Sequence, residues 1–544
     1  MKPATPELFA KVLLVLVWPA VLLLAAGLGL GCYYETNDDL AISQLLCGVG
    51  AAGPVADLHL YFHGYAAAWV WLYRTAPTVP WYGLTLYGLL YAATALAFAV
   101  LRRLLRPYLA PPMLAAALAV FFGLGWVEHG LWFNYMRVPL LLSGSGLLYA
   151  AQRLAGPRHK ALEALLVGGA AFGLSWLIRP SAAGLAALAA APGVYWLLRA
   201  GAGLGPDAAP APGRRAGWQA LGLLGGAGLL GALLTLGLGG GGPGAPAAAA
   251  YRRLDVLKSL YLDYELTRPA PRTPSDALAL RTVQHWQFGD SSLVNEAFFQ
   301  RALPFEGGYF VRHVAPAKLV RLGQLLARDY FPLLLWQLVL GLTVLRAAGW
   351  AGRGGFWLGQ AGWLGLLLAL GVGQKLPPRL GLPLFDLWLL GSAAYVLPHL
   401  AATPRLRRFC GRGLALVALL AAGPYAYKTG HRHLILRAEA HRNALALAEL
   451  RAQALGAQVL VTDALTPLYK SASPFRNYEV LPPAKAPRYV LSLNGWWTPD
   501  PSQPVLRQHL TGTRASAAAL HRLARWPAGR VCWYLTPGGA ALLR

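Results

Sequence analysis

Apolar runs of about 20 residues, broken repeatedly by short arginine-rich stretches, recur through this chain and decide which solvent it is built for. Eleven such runs are recognisable, at 8–30, 81–101, 113–126, 138–154, 161–178, 182–198, 218–238, 331–345, 356–372, 383–400 and 414–427. A hydrocarbon environment satisfies no backbone N–H or C=O, so runs of this length and spacing must be helices. Of the 544 residues, 56% are hydrophobic and 13% charged. That is about half the charge of a soluble domain, where about 25% is usual. The expected class is therefore mainly α: a polytopic helical membrane protein with about eleven spans.

A net charge of +26 raises the question of nucleic acid. The arginines do not form one basic face. They fall between the runs, at Arg102, Arg103 and Arg106, at Arg153, Arg158 and Lys160, at Arg199, Arg214 and Arg215, at Arg346 and Arg353, and at Arg405, Arg407 and Arg408. Loops of this kind orient spans by staying in the cytoplasm, which excludes nucleic acid as the partner and places the N-terminus inside. The first run is longer than a signal-peptide core and no A-x-A site follows it, so it reads as an uncleaved span.

With those loops inside, 32–80 and 239–330 become large external loops and the tail after 427 is external too. Within the first loop, 56–76 is apolar but carries His59, His63 and Arg74 among Trp and Tyr, as expected of an amphipathic helix lying at the interface. The second opens with a Gly-Pro-Ala stretch at 239–250 that predicts flexibility. The tail, 428–544, predicts a small α/β domain, with helices at 431–455 and 515–526 and strands at 458–462, 488–493 and 530–535. Residues 1–427 form the membrane domain. Cys32 and Cys47 share the first external loop, where an oxidising compartment would let them pair.

Just outside the first run lies Glu35-Thr36-Asn37-Asp38-Asp39. Residues 39–47 suit a short helix with Ala41, Ile42, Leu45 and Leu46 on one face and Asp39 and Ser43 on the other. Asn37 or Asp38 then serves as N-cap, and a carboxylate suits the first turn. Capping accounts for one acid and leaves its neighbour unexplained at a costly place. On this reading Asp38 is the cap, and Asp39 is the acid left for chemistry.

The long first span, the Asn-Asp-Asp turn, the interfacial helix, the Trp81-Tyr82 pair opening the second span and the long external loop together resemble the GT-C superfamily of membrane glycosyltransferases. The run 34–82 is similar to a group of uncharacterised bacterial members. The resemblance implies a multi-pass enzyme of the bacterial plasma membrane that moves a sugar from a polyprenyl phosphate to a hydroxyl of a glycan, lipid or protein. It implies an acid of the first external loop, Asp39 or Asp38, as general base. The superfamily contains metal-dependent and metal-independent members, so a divalent cation is neither required nor excluded, and no metal ligands are assigned.

A lipid-phosphate leaving group needs cations near the same face. Arg137, Arg179, Arg252, Arg253, Lys258, Lys375 and Arg379 are available. Lys375-Leu-Pro-Pro-Arg379 stands out, because its prolines would hold both cations in a short external loop. Snorkelling to headgroups is the competing explanation. Arg179, before Pro180, is a weaker version of the same pattern, and Glu128 and His129 are candidates for lining a sugar site. His59 and His63 lack a third metal ligand. A transporter or flippase would place ionisable groups at mid-span, whereas here the span centres are nearly free of charge. A polysaccharide polymerase or ligase, an acyltransferase and a non-enzymatic assembly protein complete the set of competing classes.

Overall fold

A computed structural model of the chain describes residues 6–156, 160–201, 213–238, 245–476 and 487–543. Among these, nine helices are long and apolar enough to cross a membrane: Glu7–Leu30, Trp81–Leu105, Pro111–Leu131, Ala161–Ile178, Pro180–Ala200, Arg214–Gly237, Arg353–Gly373, Pro378–Leu400 and Pro404–Gln453. A tenth candidate is the pair Gly307–Arg328 and Phe331–Arg346, bent by 84° at their junction. The remaining expected run, 138–154, is the helix Arg137–Leu154, which is less apolar than those nine. Its position explains why. Every side chain from Arg137 to Gln152 is buried, so serines and glycines replace leucines without facing lipid.

That helix is the centre of the bundle, surrounded by Trp81–Leu105, Ala161–Ile178, Pro180–Ala200 and Pro378–Leu400. Small residues set the spacing, as between helices in membranes. Gly146 lies against Ala171, and Gly168 against Ala150. A Cβ added to Gly193 would come within 2.8 Å of the Gly391 Cα, so those two helices touch backbone to backbone.

Three expectations about the connecting segments need correction. Residues 56–76 are not one helix; the helix is Tyr65–Thr75. Positive φ at Phe62 (58°) and Gly64 (80°) breaks the chain before it. His59 and His63 therefore do not share a helical face, and His59 pairs instead with Asp57 at 3.1 Å. The stretch 239–250 is helical from residue 245, within Ala245–Leu262, and 239–244 lie outside the described residues. The expected boundary at 427/428 falls inside the single helix Pro404–Gln453, which is 50 residues long. It runs on because Lys428 is tied down by Glu128 and Asp329 and Thr429 bonds back to the Tyr425 carbonyl at 3.0 Å.

Among the described residues the strands are short: β1 (Tyr33–Tyr34), β2 (Trp132–Phe133), β3 (Val459–Thr462), β4 (Tyr489–Ser492) and β5 (Val531–Tyr534). The last three form a parallel sheet in the order β4-β3-β5, with β3 buried along its whole length. The helices Ser502–Thr511 and Ser516–Ala524 separate β4 from β5; the sequence pattern signals only the second. The segment 245–302 has a small core of its own around Val283, Phe288 and Phe298. It docks on the tail through Gly495 N–H to the Trp286 carbonyl, 2.8 Å, and Phe288 N–H to Thr498 Oγ1, 3.2 Å.

Candidate active site

The acidic turn is held by its backbone before any side chain acts. β1 pairs in parallel with β2, joining the chain after the first helix to the chain before Arg137–Leu154. Ala472 accepts from the Tyr34 N–H at 2.9 Å, and Tyr34 accepts from Ser471 at 3.1 Å. The ladder delivers Glu35 to Asp39 onto the end of the bundle where Arg137–Leu154, Pro180–Ala200 and Pro378–Leu400 all begin.

The helix that follows is Asp38–Cys47, with Asn37 as N-cap and both aspartates in the first turn. Asp38 is not the cap. The face carrying Asp39 and Ser43 is packed: Asp39 meets Tyr82, and Ser43 lies 3.4 Å from the Tyr73 hydroxyl. Asp39 is 0% exposed. Its Oδ1 accepts from Tyr82 Oη at 2.8 Å and from Tyr135 N–H at 3.1 Å, and its Oδ2 from Asn134 Nδ2 at 2.9 Å. Burial lifts its carboxyl well above the usual carboxylate range; the Tyr82 and Tyr135 hydrogen bonds oppose this, and the charges of Asp38 and Glu35 add to it. Asp38 is half-buried, and its side chain accepts from the Thr36 hydroxyl at 3.1 Å. Structurally, Asp39 is an anchor and Asp38 is the accessible acid.

Three arginines stand at three helix starts. Arg137 opens Arg137–Leu154, Arg179 is the N-cap of Pro180–Ala200, and Arg379 is the second residue of Pro378–Leu400. A cation there adds to the positive end of the helix dipole and calls for anions nearby. Glu35 supplies one, accepting from Arg137 Nη2 at 2.8 Å and lying 3.5 Å from Arg379 Nη1. Arg179 donates to the Tyr135 hydroxyl at 2.8 Å and lies over the Tyr61 ring at 5.0 Å. Asp38 and Tyr135 are among the groups whose fields reach Arg379, and Asp38 also acts on Tyr135, so acid, tyrosine and arginines share one region. Burial pushes the Tyr135 hydroxyl up to about 12.

The other expected residues divide. Lys375 does not join this group: Pro377 is extended and Pro378 starts the helix, so Lys375 points to Asp263 at 3.1 Å while Arg379 turns inward. Glu128 is buried in an ion cluster with Lys428 at 2.8 Å and with Arg432, both of which also hold Asp329 at 3.0 Å. That cluster fixes the bend at 329–330 to the long helix and is structural. His129 is 0% exposed, with Nδ1 3.1 Å from Arg137 Nη1 and Nε2 2.8 Å from Asp386 Oδ2. It orients Arg137 and does not line an open site. Arg253 pairs with Glu296 and Lys258 with Asp255.

Four partners, Glu35, Tyr82, Asn134 and Asp386, were not assigned their contacts by sequence reasoning. Only Glu35 adjoined the turn; Tyr82 and Asn134 meet it across 43 and 95 positions, and Asp386 meets His129 across 257, separations that carry no local signal. Asp386 is an exception to the nearly charge-free spans, two turns inside Pro378–Leu400 at 0% exposure. No disulfide joins Cys32 to Cys47: the Cys32 thiol turns toward Gly27 and Tyr87, while Cys47 ends the helix Asp38–Cys47. Comparisons with family models, with curated proteins and with solved structures found no match.

Proposed function

We propose that the chain is an integral-membrane glycosyltransferase that takes a sugar from a polyprenyl phosphate on the face opposite the arginine-rich loops, with Asp38 rather than Asp39 as general base. One observation carries the reading. A half-buried aspartate stands beside a fully anchored one, in a region where arginines occupy the starts of three helices. Asp38 would take the proton of an acceptor hydroxyl as that oxygen attacks the anomeric carbon. The bond from sugar to phosphate oxygen breaks, and its electron pair leaves on the lipid phosphate. Arg379 and Arg179, with the positive ends of their helices, would offset the charge that develops there. Asp39 would keep the turn in place through Tyr82, Asn134 and Tyr135.

The test is transfer in proteoliposomes supplied with a panel of polyprenyl-phosphate sugars, read as release of the lipid phosphate. Asp38→Asn should lower the rate about 10²–10⁴-fold with its melting temperature unchanged. Full activity in Asp38→Asn sinks the assignment.

Coupled transport is the second reading, and the His129–Asp386 pair favours it, because two ionisable groups at 0% exposure within helices able to span a membrane are a common mark of ion pathways. Asp386→Asn should abolish proton-driven uptake if that reading holds, while leaving transfer from a lipid-linked sugar largely intact if it does not.

A further inference from the structure

A groove of 1280 Å³ runs between the second half of Glu7–Leu30, the first turns of Trp81–Leu105 and residues 434–444 of the long helix. It exceeds the roughly 300–1,000 Å³ of ordinary small-molecule pockets. Its lower part is apolar and faces outward: Leu24 is 64% and Leu28 80% exposed, on a helix apolar enough to cross a membrane. Its upper end carries Arg437, His441 and Arg476, and among the described residues no carboxylate lines it. Among the described residues, no carboxylate pairs with any of those three side chains. The level of the change is fixed by His433, whose ring is bonded to the Leu30 carbonyl, so the cations begin one turn beyond the end of the first helix.

We infer that this groove holds a resident anionic glycerophospholipid of the surrounding leaflet, its acyl chains along Leu24 and Leu28 and its phosphate on Arg437, His441 and Arg476. Long apolar walls capped by cations without a paired carboxylate among the described residues are what a two-chain lipid with a negative headgroup matches; a zwitterionic headgroup brings the same phosphate but adds a cation of its own beside them. The occupant differs from the glycosyl donor proposed above, because Asp38, Arg179, Tyr135 and Arg379 are all absent from the lining. Tyr33 does line the groove, and it belongs to β1, the strand that leads into the acidic turn. A bound lipid would therefore brace that strand from its far side.

Native mass spectrometry and thermal unfolding of the detergent-solubilised full chain, with dioleoyl phosphatidylglycerol or dioleoyl phosphatidylcholine added, test this directly. Phosphatidylglycerol should be retained at one copy and raise the melting temperature, and phosphatidylcholine should do neither. Each of Arg437→Gln and Arg476→Gln should weaken phosphatidylglycerol binding about fivefold, from about 1 kcal/mol per cation at a lipid surface. Gly88 lines the groove with nothing near its Cβ position, so Gly88→Trp should obstruct it and weaken lipid binding without unfolding the protein. Equal binding of the two lipids, or full binding by Gly88→Trp, overturns the inference. So does displacement of phosphatidylglycerol by a stoichiometric polyprenyl phosphate, which would make the groove a donor site. Binding is the readout throughout, so these outcomes are independent of whether Asp38 proves to be a base.

Discussion

Replacing Asp39 by alanine separates an anchoring carboxylate from a reactive one. Three donors lose their acceptor: Tyr82 Oη at 2.8 Å, Asn134 Nδ2 at 2.9 Å and the Tyr135 N–H at 3.1 Å. An unsatisfied buried donor costs about 1–3 kcal/mol, so the three together set a range of about 3–9 kcal/mol. A water entering the vacated space would satisfy part of the set, which brings the expected loss to about 3–5 kcal/mol. Asp38→Ala removes one hydrogen bond from a half-buried side chain, worth about 0.5–1.5 kcal/mol. Asp39→Asn keeps the shape but turns an acceptor into a donor facing Asn134, whose own Oδ1 already accepts from Met136 N–H at 3.0 Å. It should fall between the two.

The pH dependence has a definite sign. The Asp39 carboxyl is raised in the folded state, so its contribution is full below the unfolded value near about 3.9 and is lost as pH rises through the folded value. The deficit of Asp39→Asn relative to wild type should therefore shrink as pH rises. Unfolding in a mixed-micelle detergent titration, followed by tryptophan fluorescence at several pH values, reads all three variants. An Asp39→Ala cost within about 1 kcal/mol of wild type, below the loss of even one buried partner, refutes the division of roles. So does a cost for Asp38→Ala as large as that for Asp39→Ala.

The charged clusters give two more expected outcomes. The Arg301 hydrogen bonds hold the Asp276 carboxyl down to about 2, while the same carboxyl closes the capping box on Thr273. Its contribution is present above the unfolded value near about 3.9 and is lost as pH falls toward about 2. Limited proteolysis within 245–302 by an acid-active protease should rise over that interval in wild type and be raised already at about pH 5, above both values, in Asp276→Asn. Removing one partner of a buried ion cluster costs about 3–5 kcal/mol, so Glu128→Gln should be severe, and Glu128→Gln with Arg432→Gln should be milder than the sum of the singles. Strict additivity in a double-mutant cycle would mean that the cluster does not fasten the 329–330 bend to the long helix.

Much of the architecture is legible in the sequence because it rests on local chemistry. Each of the eleven apolar runs lies on a helix, and the three tail strands lie where β-rich runs stand between turn residues. The misreadings share a cause. Lys428-Thr429-Gly430 resembles an exit from helix, and the segment 56–76 resembles a single helix; contacts with Glu128 and Asp329 settle the first, and positive φ at Phe62 and Gly64 the second. The central helix Arg137–Leu154 has a weak hydropathy signal because its neighbours shield it from the solvent that hydropathy measures.

At the site, residue order alone requires that two adjacent acids follow the first apolar run and that arginines stand before proline or at helix starts. Those features follow from backbone rules and from the cost of charge beside hydrocarbon. Which acid is anchored, and which arginines gather around it, depends on long-range packing. Asp39 finds its donors 43, 95 and 96 positions away, and Glu35 meets Arg137 and Arg379 across 102 and 344 positions. Adjacent residues on a helix point about 100° apart, so one of two identical side chains enters the core and the other does not. No property of the dipeptide distinguishes them; only the packing of the helix against Tyr82 and Asn134 does.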